Sequence, residues 1–229
     1  MTIEIRSTRW TVTFVVLLVL CCARTIRAQD LSVSPGTAQP PGDLAESVRA
    51  LLAPASTTVT LGDNTLEFWW VKALALQTSA SGAPAWTNVP EGTLVGAMRV
   101  AKPMTDIRGL ALKPGVYTLR FALQPQDGDH MGVSMYREFF LVAPAADDQT
   151  VEAIGHAAAV RLAKRASGKS HPSALSLDPP TSNKTAGTVV TNDAGHKALT
   201  FSVPTTSSGG PGGSLTFGLI LVGTIQHQM

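Results

Sequence analysis

From Val116 to Leu123 the side chains alternate. Tyr117, Leu119, Phe121 and Leu123 fall on one face, and Thr118, Arg120 and Ala122 on the other. A period of two with one apolar face predicts a half-buried antiparallel strand. Pro114-Gly115 ahead of it is a turn signal. The same pattern recurs between turns along the rest of the chain. Thr57 to Leu61, a Gly62-Asp63-Asn64 turn, and Leu66 to Leu76 predict a hairpin. In its second strand Leu66, Phe68, Trp70, Leu74 and Leu76 share a face that Lys72 interrupts. Further strands are expected at 93–101, 137–143, 173–177, 187–191, 196–203 and 214–223. The last carries Leu215, Phe217, Leu219 and Leu221 on one face, apolar enough to require an interior place in a sheet.

Two stretches break this alternation. Asp43 stands at an N-cap position, Leu44, Val48, Leu51 and Leu52 follow at helical spacing, and Pro54 ends the run, which predicts a helix over 43–53. Val151, Ile154, Ala158 and Leu162 mark a helix over 151–166. Asp147, Asp148 and Glu152 lie at its start, Arg161, Lys164 and Arg165 at its end, and Gly168 at the C-cap, as the helix dipole and cap chemistry prefer. The fold class expected is mainly β: an antiparallel, immunoglobulin-like β-sandwich of about eight or nine strands with one or two accessory helices.

The N-terminus reads as a secretory signal over 1–28. Arg6 and Arg9 precede an apolar run from Trp10 to about Cys22, which Arg24 and Arg27 close. That run falls short of the roughly 20 residues a spanning helix needs. Cleavage is expected after Ala28, with Ala23 the alternative, which places the mature protein in the periplasm or outside the cell. Residues 29–42, rich in Pro and Gly, are expected as a flexible linker, and 43–229 as a single β domain.

Of the 18 bases and 16 acids, four bases and one acid lie in 1–28, leaving 14 and 15 in the mature chain. Such a balance makes no electrostatic case for nucleic acid or an anionic membrane surface. Both cysteines lie in 1–28, so the mature chain has no disulfide, thiolate nucleophile or cysteine metal ligand.

The most suggestive chemistry lies in Asp127-Gly-Asp129-His130-Met131-Gly132 through Glu138. Asp127, Asp129, Gly132 and Glu138 take positions one, three, six and twelve of a calcium loop, whose carboxylate spacing suits a hard cation. Met131 occupies position five, where an oxygen belongs, and the flanks read as strands rather than helices. A polar hairpin loop is the competing reading. His130, Met131 and Met135 offer a softer set suited to Cu(I).

The histidines at 130, 156, 171, 196 and 227 show no i, i+4 pair. No Gly-x-Ser-x-Gly elbow is present, and Gly-rich 208–213 lacks the Gly-Lys-Ser/Thr ending of a phosphate cradle. Glu67 and Glu91 are a carboxylate pair of the kind that can flank a sugar. Trp69, Trp70 and Trp86, with His171 on a loop, offer a binding surface if exposed. Packing inside the fold is the competing fate for the tryptophans. Asn183-Lys-Thr185 fits the glycosylation pattern, a weak signal that would mean nothing were the protein bacterial.

Several segments together carry a resemblance: Phe68-Trp-Trp-Val-Lys72, Glu91-Gly-Thr-Leu-Val-Gly-Ala97, Leu112-Lys-Pro-Gly-Val-Tyr-Thr-Leu-Arg120, Asp127 to Gly132 with Arg137-Glu-Phe-Phe-Leu141, and Ser170 to Leu177. Over roughly 44–225 they resemble a family of exported bacterial β-sandwich proteins, a domain of unknown function. The resemblance implies export and a β-rich fold and transfers no site. The function expected is therefore that of an exported, non-catalytic binding or accessory protein with a protein or glycan partner and no cofactor. The alternatives are a calcium or copper protein using Asp127, Asp129, His130 and Glu138, and a hydrolase whose site forms only in the fold.

Overall fold

The computed structural model describes residues 30–77, 86–125, 136–178, 185–207 and 213–224. The chain is mainly β. Its first elements are β1 (Leu31–Pro35), α1 (Glu46–Leu51), β2 (Thr57–Leu61), β3 (Asn64–Trp70) and β4 (Leu74–Leu76). A 3-10 turn at Trp86–Asn88 precedes β5 (Leu94–Val100), β6 (Met104–Thr105), β7 (Ala111–Leu112), β8 (Gly115–Leu123) and β9 (Glu138–Pro144). Then come α2 (Gly155–Ser167), β10 (Ala174–Asp178), β11 (Thr188–Thr191), β12 (Lys197–Ser207) and β13 (Gly213–Val222).

Eleven strands form one sheet in the order β1-β2-β3-β5-β8-β9-β10-β13-β12-β11, with β4 on the outer edge of β12. Strands β6 and β7 make a separate ribbon. All pairs are antiparallel except β4 with β12, where Leu74 lies beside Thr205. The expected sandwich of eight or nine antiparallel strands is thus a larger, mixed sheet. It curls until β3 faces β12 and its end strands β1 and β11 touch.

The parallel pair has a local cause. The expected strand from Leu66 to Leu76 breaks after Trp70. There the end of α1 takes over its backbone groups: Ala53 N donates to Trp70 O at 2.8 Å, and Lys72 N to Leu51 O at 2.8 Å. The Lys72 ammonium adds a bond to Ala50 O at 2.8 Å. Freed of its first partner, the chain reaches β12 as β4. The stretch expected as a linker is likewise paired in part, because β1 lies against β2 with Val33 opposite Val59. The first helix is shorter than 43–53, and Ala45 rather than Asp43 occupies its N-cap.

Period-two alternation fills the inside of the curl. Cross-strand neighbours Phe68 and Met98, Met98 and Tyr117, Phe121 and Phe140, and Phe201 and Phe217 share the inner face. Trp70 stacks on Phe201 with centroids 3.5 Å apart and on Phe68 at 5.2 Å, and Phe201 stacks on Phe217 at 5.2 Å. The Phe68–Trp70 and Phe201–Phe217 pairs fall in the separation range where aromatic pairs add attraction beyond the area they bury. Gly96 makes room for the indole: a Cβ there would stand 3.0 Å from Trp70 Cε3 and 2.6 Å from Trp69 O. As its pattern required, β13 is interior, between β10 and β12.

Leu44, Val48 and Leu52, from α1 and its flanks, join the main core, and Leu52 bridges Val71 just past β3. Over β8, β9 and β10, helix α2 packs Ala159 and Ala163 against Ala122, Leu141 and Ala174. No helix among the described residues is long and apolar enough to cross a membrane.

Candidate functional site

The loop that carries the metal-like pattern leaves β8 and returns in β9. Asp127, Asp129, His130, Met131 and Met135 lie outside the described residues. Glu138 opens β9 opposite Leu123. Phe139 packs toward α2 and Phe140 into the inner core, so alternation turns Glu138 to the inner face. Both flanks are strands, joined at the neck by Gln124 N donating to Arg137 O at 2.7 Å. The helices a calcium loop needs are therefore replaced by a hairpin stem. Among the described residues no three His, Cys, Asp or Glu side chains gather into a metal set.

The tryptophans do not form an open platform. Trp69 is fully buried, and its indole N–H donates to Ala38 O at 2.8 Å. The Arg99 guanidinium lies 5.6 Å from its ring centre. Trp70, half-buried, belongs to the inner stack. Trp86 stacks on Phe217 at 5.3 Å and donates to Thr216 O at 2.9 Å. His171 is exposed, and its carbonyl accepts the Ser167 hydroxyl at 2.6 Å. Of the residues expected to offer a binding surface, His171 is the one exposed. The two carboxylates considered for sugar chemistry are engaged separately: Glu67 with Arg99 at 2.9 Å, Glu91 with His156 at 3.0 Å.

Among the described residues, three polar clusters hold groups able to do acid–base chemistry. The deepest joins Arg120 and Asp148, each 1 % exposed at the side chain. Arg120 Nε and Nη2 each reach the Asp148 carboxylate at 2.7 Å, and the Thr118 hydroxyl donates to it at 2.5 Å. The remaining guanidinium hydrogens go to the carbonyls of Gly92 at 2.6 Å, Glu152 at 2.9 Å and Thr150. A planar fork of five donors suits this task, since it satisfies a buried carboxylate and three carbonyls together. The Thr150 and Glu152 carbonyls are drawn onto Arg120 instead of a helical ladder, consistent with α2 beginning at Gly155 and not at 151. Asp148 is buried rather than a helix-start acid.

The second cluster sits at the turn between β11 and β12 and just past the end of β13, and Tyr136 reaches it from ahead of β9. Thr224 O lies 3.2 Å from His196 Nε2. A carbonyl only accepts, so Nε2 carries the hydrogen and Nδ1 accepts from the Tyr136 hydroxyl at 2.6 Å. Asn192 Nδ2 donates to that hydroxyl at 2.8 Å. Burial raises the Tyr136 pKa above its ordinary value, the Asn192 bond lowers it, and the nearby Asp178 charge raises it. Tyr136 therefore stays a neutral donor that fixes the His196 tautomer.

The third cluster is half-exposed. Glu91 Oε1 accepts the Leu123 N–H at 2.8 Å and pairs with His156 Nδ1 at 3.0 Å. A carboxylate that holds Nδ1–H leaves Nε2 as the free basic nitrogen. Chemically this is an oriented base with no described nucleophile, metal set or acid beside it.

None of these clusters was assembled by the sequence reading. Arg120 was assigned to the outer face with Thr118, but nothing in its own neighbourhood marks the buried partner 28 residues away. Comparison with protein-family models, with curated proteins and with solved structures found no match for this chain.

Proposed function

We propose that this chain is an exported, non-catalytic binding protein of a bacterial envelope that presents a rigid β scaffold to a protein or glycan partner. The observation behind this reading is the placement of the side chains able to do chemistry or stacking. Trp69, Trp70 and Trp86 fill the fold, and Arg120, Asp148, Tyr136 and His196 are locked to one another inside it. Groups held in this way stiffen a scaffold and specify its packing. Binding residues belong on the loops and edges of such a scaffold.

Two measurements test it. Mass spectrometry of the protein recovered from the producing cells should give Gln29 as the first residue; an intact Met1 end would remove the export reading. Photo-cross-linkers placed at Thr191 on β11 and Ala157 on α2 should trap one recurring partner that rebinds when purified. No adduct from either position would overturn the binding reading. Calorimetric titration with Ca²⁺, Cu⁺ and Zn²⁺ separates it from the metal alternative. The scaffold reading expects no stoichiometric heat, whereas tight binding lost in Asp129→Ala would replace it.

A further inference from the structure

The overall charge of the mature chain makes no case for an anionic partner, but the distribution of that charge does. From Ala153 to Leu177 the chain holds Arg161, Lys164, Arg165 and Lys169 and no acid. The fold brings these residues to one surface. Arg161, Lys164 and Arg165 are exposed on α2, and Lys169 is exposed just past its Gly168 cap. Spacings of three and four put the helical ones on one side. The turn after the helix folds back on itself through the Ser167 hydroxyl and His171 O at 2.6 Å. Arg108, from the segment between β6 and β7, reaches the same turn, donating to Pro172 O at 3.0 Å.

Two of these bases have local partners. Arg165 meets Asp147 at 2.9 Å and Arg108 meets Asp106 at 2.6 Å. Arg161, Lys164 and Lys169 remain as net positive charge. The favourable field at a helix C-terminus accounts for bases in the last turn of α2. Because α2 ends at Ser167 rather than 166, only Lys164 and Arg165 fall in its last turn, and Arg161, expected at the end, lies outside that explanation together with Lys169 beyond the cap.

We propose that this face of α2 docks on an anionic lipid bilayer surface, holding the protein peripherally against the membrane; the proposal rests on the export reading, which brings the chain to an envelope membrane. Export to an envelope favours a membrane surface over nucleic acid as the anion this face meets. Among the described residues the one large exposed hydrophobic side chain is Leu51 on α1, so the patch has neither an aromatic platform for stacked bases nor an apolar wedge. What remains is a sparse row of cations along a helix surface, which a plane of anionic headgroups matches through long-range attraction alone. Each such base strengthens association about fivefold, and salt screens it.

The test is sedimentation of the purified, processed protein with vesicles of phosphatidylglycerol and phosphatidylcholine, and with phosphatidylcholine alone. Binding is expected only to the anionic vesicles, and it should be lost near 1 M salt, where screening acts within about 3 Å. The triple variant Arg161→Gln, Lys164→Gln, Lys169→Gln should weaken it on the order of a hundredfold, three charges at about fivefold each, with an unchanged melting temperature. Arg49→Gln with Lys102→Gln, removing exposed bases from α1 and the strand turn near Asp63, should leave it intact. Equal binding to both vesicles, no binding, or an unaffected triple variant overturns the proposal. Capture of a DNA duplex or an acidic polypeptide in place of vesicles assigns the patch to another anion and overturns it equally. An intact Met1 end would defeat the export reading separately, without altering what the vesicles report.

Discussion

Asp147 and Asp148 are adjacent in the chain, and each meets an arginine. The Asp148 carboxylate and Arg120 are 1 % exposed and hold four further polar groups in place through their network. Asp147 meets Arg165 at 2.9 Å with 35 % and 60 % of the side chains in water. The distances are similar; the surroundings are not. Water screens the outer pair and would solvate either partner if the other left. The inner pair has no such alternative, so each charge depends on its partner and on the carbonyls around it. Proximity in a structure is therefore a poor guide to energetic weight, and burial decides it.

The largest break in this comparison should come from Asp148→Ala. It strands the Arg120 guanidinium under the 145–154 segment and should cost about 3–5 kcal/mol in denaturant unfolding. Arg120→Met with Asp148→Leu removes both charges and should lose less than either single truncation. A loss from Asp148→Ala no greater than that from Asp147→Ala would erase the distinction between the two pairs.

Gly92→Ala probes the same latch through the backbone. Gly92 holds a φ of +80° and its carbonyl accepts from Arg120. A Cβ there would stand 2.5 Å from Gly155 N. Strain of this kind costs about 1–3 kcal/mol. An Ala variant as stable as the parent would show that the segment ahead of α2 moves freely.

The same contrast separates what the sequence revealed from what it hid. Strands β2, β8 and β13 were legible because alternate positions are apolar, and β5 and β9 because short apolar runs stand between turn signals. The inner stack followed from that alternation. The diversion of β4 was not legible, since it depends on α1 capturing backbone groups near Val71 and Lys72. Nor was the latch. In sequence Asp148 looks like its neighbour Asp147, an acid ahead of a helix, and only Arg120 beneath it separates the two. Arg120 gave no local hint, since a solvated arginine fits the polar face of a half-buried strand equally well.

A smaller effect should appear at alkaline pH. Burial holds the hydroxyls of Tyr117 and Tyr136 above the ordinary tyrosine value near 10. A folded-state value above the unfolded one means that the native state keeps its protons longer. The stabilisation is therefore fully present below about pH 10 and is lost as pH rises through the raised values. Tyrosinate absorbance should rise late in the native protein and together with unfolding. Tyr136→Phe should cost about 1 kcal/mol at neutral pH, because His196 Nδ1 loses its donor. If native Tyr136 ionised as freely as a solvated tyrosine, the cluster would be open to water, closer in kind to Asp147 than to Asp148.

Asp147→Ala sets the lower end of the scale. Its partner Arg165 is 60 % exposed and would return to water when the carboxylate is removed. The expected loss is about 0–1 kcal/mol, shrinking further as salt is added. The variant also frees the Arg165 charge, so the α2 face becomes more basic while stability hardly changes. A vesicle-binding assay should therefore register Asp147→Ala as a gain where unfolding registers almost nothing. A loss above about 2 kcal/mol would instead mean that the pair clamps the start of the 145–154 segment in the way Asp148 does. The two aspartates would then act as one latch, and burial alone would no longer explain their difference.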